Sequence, residues 1–205
     1  MSDSHLDDLP VFPLGTVLFP GGALPLRVFE ARYLDMVRDC MQQGRPFGVC
    51  LITQGREVGE AAEHETVGCL ASIEGWDMEQ LGLLKIMARG GPRFRILSRR
   101  VQKDGLVRAR AEPIPPDPDA AVPEDYAVCA KLLRRIVEDL VEREPNPMNR
   151  MVGEPYDFAS ATWVGNRLSE FLPIAARAKQ KLMELPDPLA RLELVHHYLQ
   201  RHRVL

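Results

Sequence analysis

Pro113-Ile114-Pro115-Pro116-Asp117-Pro118 is the stretch on which the fold turns. Four prolines in six residues remove N–H donors and fix φ, so neither a helix nor a central strand continues through it. It reads as a stiff linker. Residues 1–118 are broken and alternating, like strands. Residues 119–205 repeat at helical spacing. Charge does not follow the divide: 14 basic and 16 acidic groups lie up to residue 118, and 12 and 13 lie beyond it. The expected chain is α+β, with a β-rich domain over 1–118 containing one helix and a helical bundle over 119–205.

Working back from the prolines, Arg93–Gln102 and Leu106–Ala111 predict a hairpin around Lys103-Asp104-Gly105, since Asp-Gly favours a tight turn. In that register Arg99 faces Arg110 and Val101 faces Arg108. Phe94, Ile96, Val107, Ala109 and Ala111 then share a core face. Arg93, Arg95, Arg99, Arg108 and Arg110 share the opposite, outer face. Like charges across a strand pair are unfavourable, and the candidates to compensate them are Glu112 on the diagonal, carboxylates from a partner, or phosphates.

Further back, Leu81–Ala88, Val67–Ile73 and Phe47–Thr53 read as strands. Tyr33, Met36, Val37, Cys40 and Met41 fall on one helical face, which Gly44 terminates. Val11-Phe12-Pro13-Leu14 and Leu24-Pro25-Leu26 are short apolar pieces whose prolines suggest edge strands or strand ends. The acidic run Glu57, Glu60, Glu63 and Glu65 reads as a solvated loop.

Forward of the linker, Tyr126, Cys129, Leu132, Leu133, Ile136, Val137 and Leu140 form one stripe that ends before Pro145 and Pro147. Asp157 is placed to cap a second helix running to Phe171. A third spans Ile174–Met183. Asp187-Pro188 pairs an N-cap with proline at the first helical position, and Leu189, Leu192, Val195 and Leu199 follow on one face.

Composition is ordinary for a globular chain: 205 residues, 45% hydrophobic, 27% charged and a net charge of −3. No basic excess draws it to nucleic acid or anionic membrane. Cys40, Cys50, Cys69 and Cys129 form no CxxC pair and sit in apolar stretches, as reduced core thiols do. Met1–Asp8 lacks the basic and apolar regions of a signal peptide. No apolar run reaches the roughly 18 residues of a membrane helix. The expected setting is cytoplasmic, without membrane contact.

Catalytic signatures are missing. There is no Gly-Lys-Ser/Thr phosphate loop, no GxGxxG and no GxSxG. His64-Glu65 lacks the second histidine of HExxH. His196 and His197 are adjacent and point about 100° apart on a helix, and His5 lies in a polar tail. No catalytic residue, cofactor or metal is expected.

Several segments carry a resemblance. Leu9-Pro10-Val11-Phe12-Pro13-Leu14, Val17-Leu18-Phe19-Pro20-Gly21 and Leu24-Pro25-Leu26 are similar to the opening of the Lon protease N-terminal domain. Phe29-Glu30-Ala31-Arg32-Tyr33, Val67-Gly68, Gly90–Ile96 and Leu182–Leu192 (LMELPDPLARL) resemble later segments of that domain in the same order. The resemblance implies a PUA-like pseudo-barrel followed by a helical bundle. It implies a non-catalytic substrate-recognition or adaptor module, because the phosphate loop and the Ser-Lys dyad of a complete Lon protease are absent. Its implied partners are unfolded or apolar polypeptide segments and a separate ATP-dependent protease.

Such binding needs accessible apolar surface. Phe19, Phe29, Tyr33, Trp76 and Trp163 are the aromatic candidates. Phe29 and Tyr33 are placed to line a groove beside the first helix. Trp76, between Gly75 and Asp77, is the aromatic expected to be exposed. An open strand edge would also take an extended peptide. Two other readings use different parts of the chain: RNA binding by the arginine face of the 93–110 hairpin, and a small molecule held in the barrel.

Overall fold

The computed structural model describes residues 6–205, apart from the side chain of Glu79; His5 and the rest of the N-terminal tail lie outside the described residues. Two compact units divide at the proline stretch, Met1–Pro115 and Pro116–Leu205. The first holds β1 (Leu6–Leu14), β2 (Ala23–Val28), α1 (Ala31–Gln43), β3 (Phe47–Gln54), β4 (Glu63–His64), β5 (Val67–Gln80), β6 (Leu83–Val101) and β7 (Val107–Pro113). The second holds α2 (Ala127–Arg143), α3 (Ala161–Phe171), α4 (Ala176–Glu184) and α5 (Pro188–Arg201). The chain is thus α+β, β-rich first and helical second.

Five strands close a ring in the order β1-β7-β6-β5-β3, and parallel pairing of β1 with β3 completes it. β1 contains Pro10 and Pro13 yet lies within this ring. It manages this by changing partner at Val11: its first half pairs with β7 and its second with β3. Each proline therefore sits where only one side of the strand is paired.

Phe94 fills the ring. It is fully buried among Leu9, Val11, Cys50, Leu70, Val107, Ala109 and Ala111. A Cβ on Gly48 would stand 2.6 Å from the Phe94 ring, and one on Gly68 would stand 2.8 Å from it. The Phe94 ring occupies the space those side chains would need.

Strand alternation sends the other set of residues outward. Phe12, Phe47, Val49 and Cys69 pack with Tyr33, Met36, Val37 and Cys40 of α1 in a second core. Gly44 ends α1 with φ 61°, its N–H bonding back to the Cys40 and Met41 carbonyls, as the sequence expects. Met41, expected on the buried face, is 37% exposed.

Three readings of the first unit need correction. Leu81–Ala88 and Arg93–Gln102 are not separate strands, because β6 runs unbroken through Gly90-Gly91-Pro92. Gly90 exchanges backbone bonds with Gly21 and Gly22, and the Phe19 carbonyl approaches too closely for any side chain there. The hairpin register is one residue off, so Arg99 faces Ala109, Ser98 faces Arg110 and Arg100 faces Arg108, and a bulge between Ile96 and Ser98 shifts it once more, further from the turn. The wider turn is the cause of the first shift, with the Gln102 N–H bonded to the Leu106 carbonyl and Gly105 at φ 85°. Arg93 is not on the outer face: it pairs with Cys69, is 3% exposed and donates to the Pro115 carbonyl at 3.4 Å.

In the second unit, Leu133, Val137, Val164, Leu168, Leu192 and Val195 form the core. Ser160 caps α3, its Oγ accepting from the Trp163 N–H at 3.2 Å, while Asp157 caps only the turn before it. Asp187 caps α5 through the Leu189 and Ala190 N–H groups at 2.9 and 3.1 Å. Leu189 is exposed, and Pro188 is buried in its stead. Arg191, 1% exposed, reaches Asp117 at 2.7 Å and donates to the Leu182 and Leu185 carbonyls. Asp117, read as linker, is a buried anchor. Among the described residues, no helix is long and apolar enough to cross a membrane.

Candidate polypeptide-binding grooves

Beyond the ring, β5 and β6 continue as a long hairpin, and β2 joins β6 over Ala23–Val28 opposite Arg89–Leu84. This three-stranded extension lies β5-β6-β2, and a groove lies beside each of its outer strands. The first turn of α1 helps to form one groove, and its last turn helps to form the other.

The groove beside β2 measures about 320 Å³ and is walled by Leu14, Leu26, Val28, Phe29, Tyr33 and Val58. The structure thus brings Phe29 and Tyr33 together, as their spacing suggests. They contribute differently. Phe29 is 54% exposed, whereas Tyr33 is buried and stacked on Phe12 at 4.0 Å. Burial raises the Tyr33 hydroxyl pKa, and Glu30 and Glu57 nearby also push it up, against the lowering effect of Arg32. Glu57 is held in place by the Gly15 N–H at 2.6 Å.

The groove beside β5 measures about 360 Å³ and is lined by Cys40, Met41, Arg45, Ile73 and Trp76 among others. Trp76 is 56% exposed, as expected from its polar neighbours. Sequence reading missed what accompanies it. Met78, two residues on and on the same face, is 57% exposed, and Leu81 at the hairpin tip is 97% exposed. A methionine between Asp77 and Glu79 and a leucine before a turn glycine were the available signals. Phe19 is fully buried, and Trp163 packs against Tyr156 and Phe158, so neither is an open aromatic.

The arginine face is matched by acids. Arg99 pairs with Glu63 and holds that carboxyl below its ordinary range. Asp8 lies between Arg100 and Arg108, at 2.6 and 3.5 Å, and Asp7 lies 3.6 Å from Arg110. Arg95 is exposed. The like-charge opposition expected for Arg99 and Arg110 falls instead on Arg100 and Arg108, where Asp8 relieves it. A further cavity of about 600 Å³ lies beside β1, lined by Asp7, Asp8, Asp39, Arg45 and Arg108 with no aromatic wall.

All four cysteines are buried and free, and burial pushes Cys40 and Cys129 up to about 11 and Cys50 to about 12, which disfavours the thiolate at these three. No group of three or more metal-ligating side chains forms among the described residues.

A family model for the ATP-dependent protease La (LON) substrate-binding domain matches residues 8–201. Lon protease of Anaeromyxobacter dehalogenans is 27% identical over 95% of the chain, which covers 23% of that protein. Protein cereblon of Gallus gallus is 33% identical over 54% of the chain and 26% of its own length. The chain therefore spans about a quarter of the curated relatives it matches. The crystal structure of a Lon N-terminal domain protein from Xanthomonas campestris superposes with a TM-score of 0.74 at 35% identity, covering 94% of this chain and 99% of that one. The N-terminal domain of a Mycobacterium avium complex Lon protease shares the fold, with a TM-score of 0.59 at 15% identity. Ring, single ring-packed helix, helical second unit and sequence agree: the chain belongs to the LON substrate-binding domain family.

Proposed function

We propose that this protein is a non-catalytic polypeptide-binding module that holds exposed apolar segments of client proteins, in a substrate-recognition or adaptor role beside a separate ATP-dependent protease. The observation that carries the reading is the pair of grooves with their exposed Phe29 and Trp76, on a domain of a substrate-binding family. Half-exposed aromatics, Trp76 on β5 and Phe29 just after β2, offer large contact area with few rotatable bonds, as recognition surfaces require. The acids beside the hairpin arginines take the charges that an RNA backbone would need.

The test is capture of unstructured peptides from an immobilised library at two salt concentrations, with a labelled RNA pool as competitor. Apolar peptides are expected to be retained at both. The double variant Phe29→Ala, Trp76→Ala is expected to weaken capture by at least ~10-fold with the melting temperature unchanged, since both side chains are half-exposed. Capture undiminished by that variant would remove these grooves from the reading. RNA capture that vanishes at high salt would replace the reading with the arginine face.

A further inference from the structure

We infer that the client segment is held as an added strand on the outer edge of β5, between Ser72 and Gln80. This rests on the polypeptide-binding reading and specifies how the chain is recognised.

The ladder between β3 and β5 starts only at Phe47 opposite Ala71. The residues before Phe47 end α1, so the place where β3 would extend is empty of strand. Among the described residues, β5 from Ser72 to Gln80 pairs with β6 on one side and with no strand on the other. Bulges lie between Ile73 and Gly75 and between Met78 and Gln80, and over the regular run Gly75–Met78 alternate N–H and C=O groups on that side point outward without a ladder. The groove of about 360 Å³ runs along this same edge, lined by Ser72, Ile73, Gly75 and Trp76 and, across from them, by the last turn of α1. A strand laid there would continue the β3 ladder.

Side chains fit the backbone argument. Trp76 pairs with Ile86 and Met78 with Leu84, and cross-strand partners share a face. Ile86 and Leu84 pack in the α1 core, so Trp76 and Met78 continue that apolar face to the open edge. Every second residue of an added strand would rest on them.

Other edges serve less well. Pro25 interrupts the outer edge of β2 and Pro10 that of β1, and each lacks an N–H. A second copy of the chain is also a poor occupant. The free part of β5 reads Ser-Ile-Glu-Gly-Trp-Asp-Met-Glu-Gln, with three acids and no base, so edge-to-edge pairing of two copies sets like charges together. The occupant is therefore an extended, proline-free segment of another, unfolded chain.

The probe is a capped peptide about ten residues long, alternating Val and Thr with a terminal Lys, enough to span the edge at roughly 3.3 Å per residue. With the full chain, amide hydrogen exchange over Ser72–Gln80 is expected to slow at least ~10-fold on binding, with β2 unaffected. N-methylation of alternate peptide amides in one register is expected to weaken binding at least ~10-fold, and methylation in the other register to leave it unchanged. Peptide binding that ignores both methylation patterns and leaves Ser72–Gln80 unprotected would overturn strand addition while polypeptide binding stands. No binding of any peptide would overturn both. A concentration-dependent dimer that protects Ser72–Gln80 without peptide would overturn the choice of occupant.

Discussion

Gly48 and Gly68 are set by a single ring. Phe94 occupies the barrel interior, and a Cβ on Gly68 would meet the Cys50 Sγ at 2.7 Å, the Phe94 ring at 2.8 Å and the Val49 carbonyl. Gly68→Ala is therefore expected to destabilise by about 1–3 kcal/mol, read as a lower denaturant midpoint at unchanged slope. His64 makes a different prediction. It is 8% exposed, its Nδ1 donates to the Glu65 carbonyl at 2.8 Å, and burial holds its pKa below 6.5. As pH falls through 6.5 the unfolded chain takes the proton first, so stability is lost from there down to the folded pKa and then levels. The variant His64→Asn is expected to flatten that part of a stability–pH curve; an unchanged slope would assign it to other groups. At this scale the sequence shows which residues are apolar but not which face they take. Arg93 alternates correctly with its outer neighbours and is still buried, its guanidinium donating to the Pro115 carbonyl in the proline stretch.

Between elements, what the sequence shows depends on how local the cause is. Gly44 and Asp187-Pro188 are visible because a cap is satisfied within a few residues of itself. The bulge at Ile96–Ser98 and the passage of β6 through Gly90-Gly91-Pro92 are not, since both are fixed by strands far away in the chain. The β5 edge is invisible for the same reason: an edge is defined by the absence of a neighbour. Arg191 is the clearest case of an element tie that the motif hides. It joins the turn between α4 and α5 to Asp117, with 1% and 5% side-chain exposure for the pair. Asp117→Ala removes the carboxylate that faces this buried guanidinium and is expected to cost about 3–5 kcal/mol. Pairing it with Arg191→Met is expected to recover much of that loss in the same denaturant titration; no recovery would show that packing of Asp117, not its charge, is what matters.

For the whole molecule, the proline stretch separates two kinds of folding, and composition already carries that division. Net charge bears on binding at this scale: 26 bases against 29 acids leave no long-range field to attract a polyanion. A labelled RNA pool at low salt is expected to show no retention, and replacing Asp7 and Asp8 with Asn is expected to create some by freeing Arg100, Arg108 and Arg110. Retention by the unaltered protein would show that the acids do not neutralise that face.

The closed ring also imposes an order on biosynthesis. β1 leaves the ribosome before any strand it pairs with, and Leu6 waits for a partner as distant as Ala111. Until β7 has cleared the exit tunnel, the nascent chain carries an unclosed apolar barrel around Phe94. A translation arrest placed before Val107 therefore leaves a chain that chaperones bind and proteases cut, and one placed well after Pro113 leaves a sealed barrel.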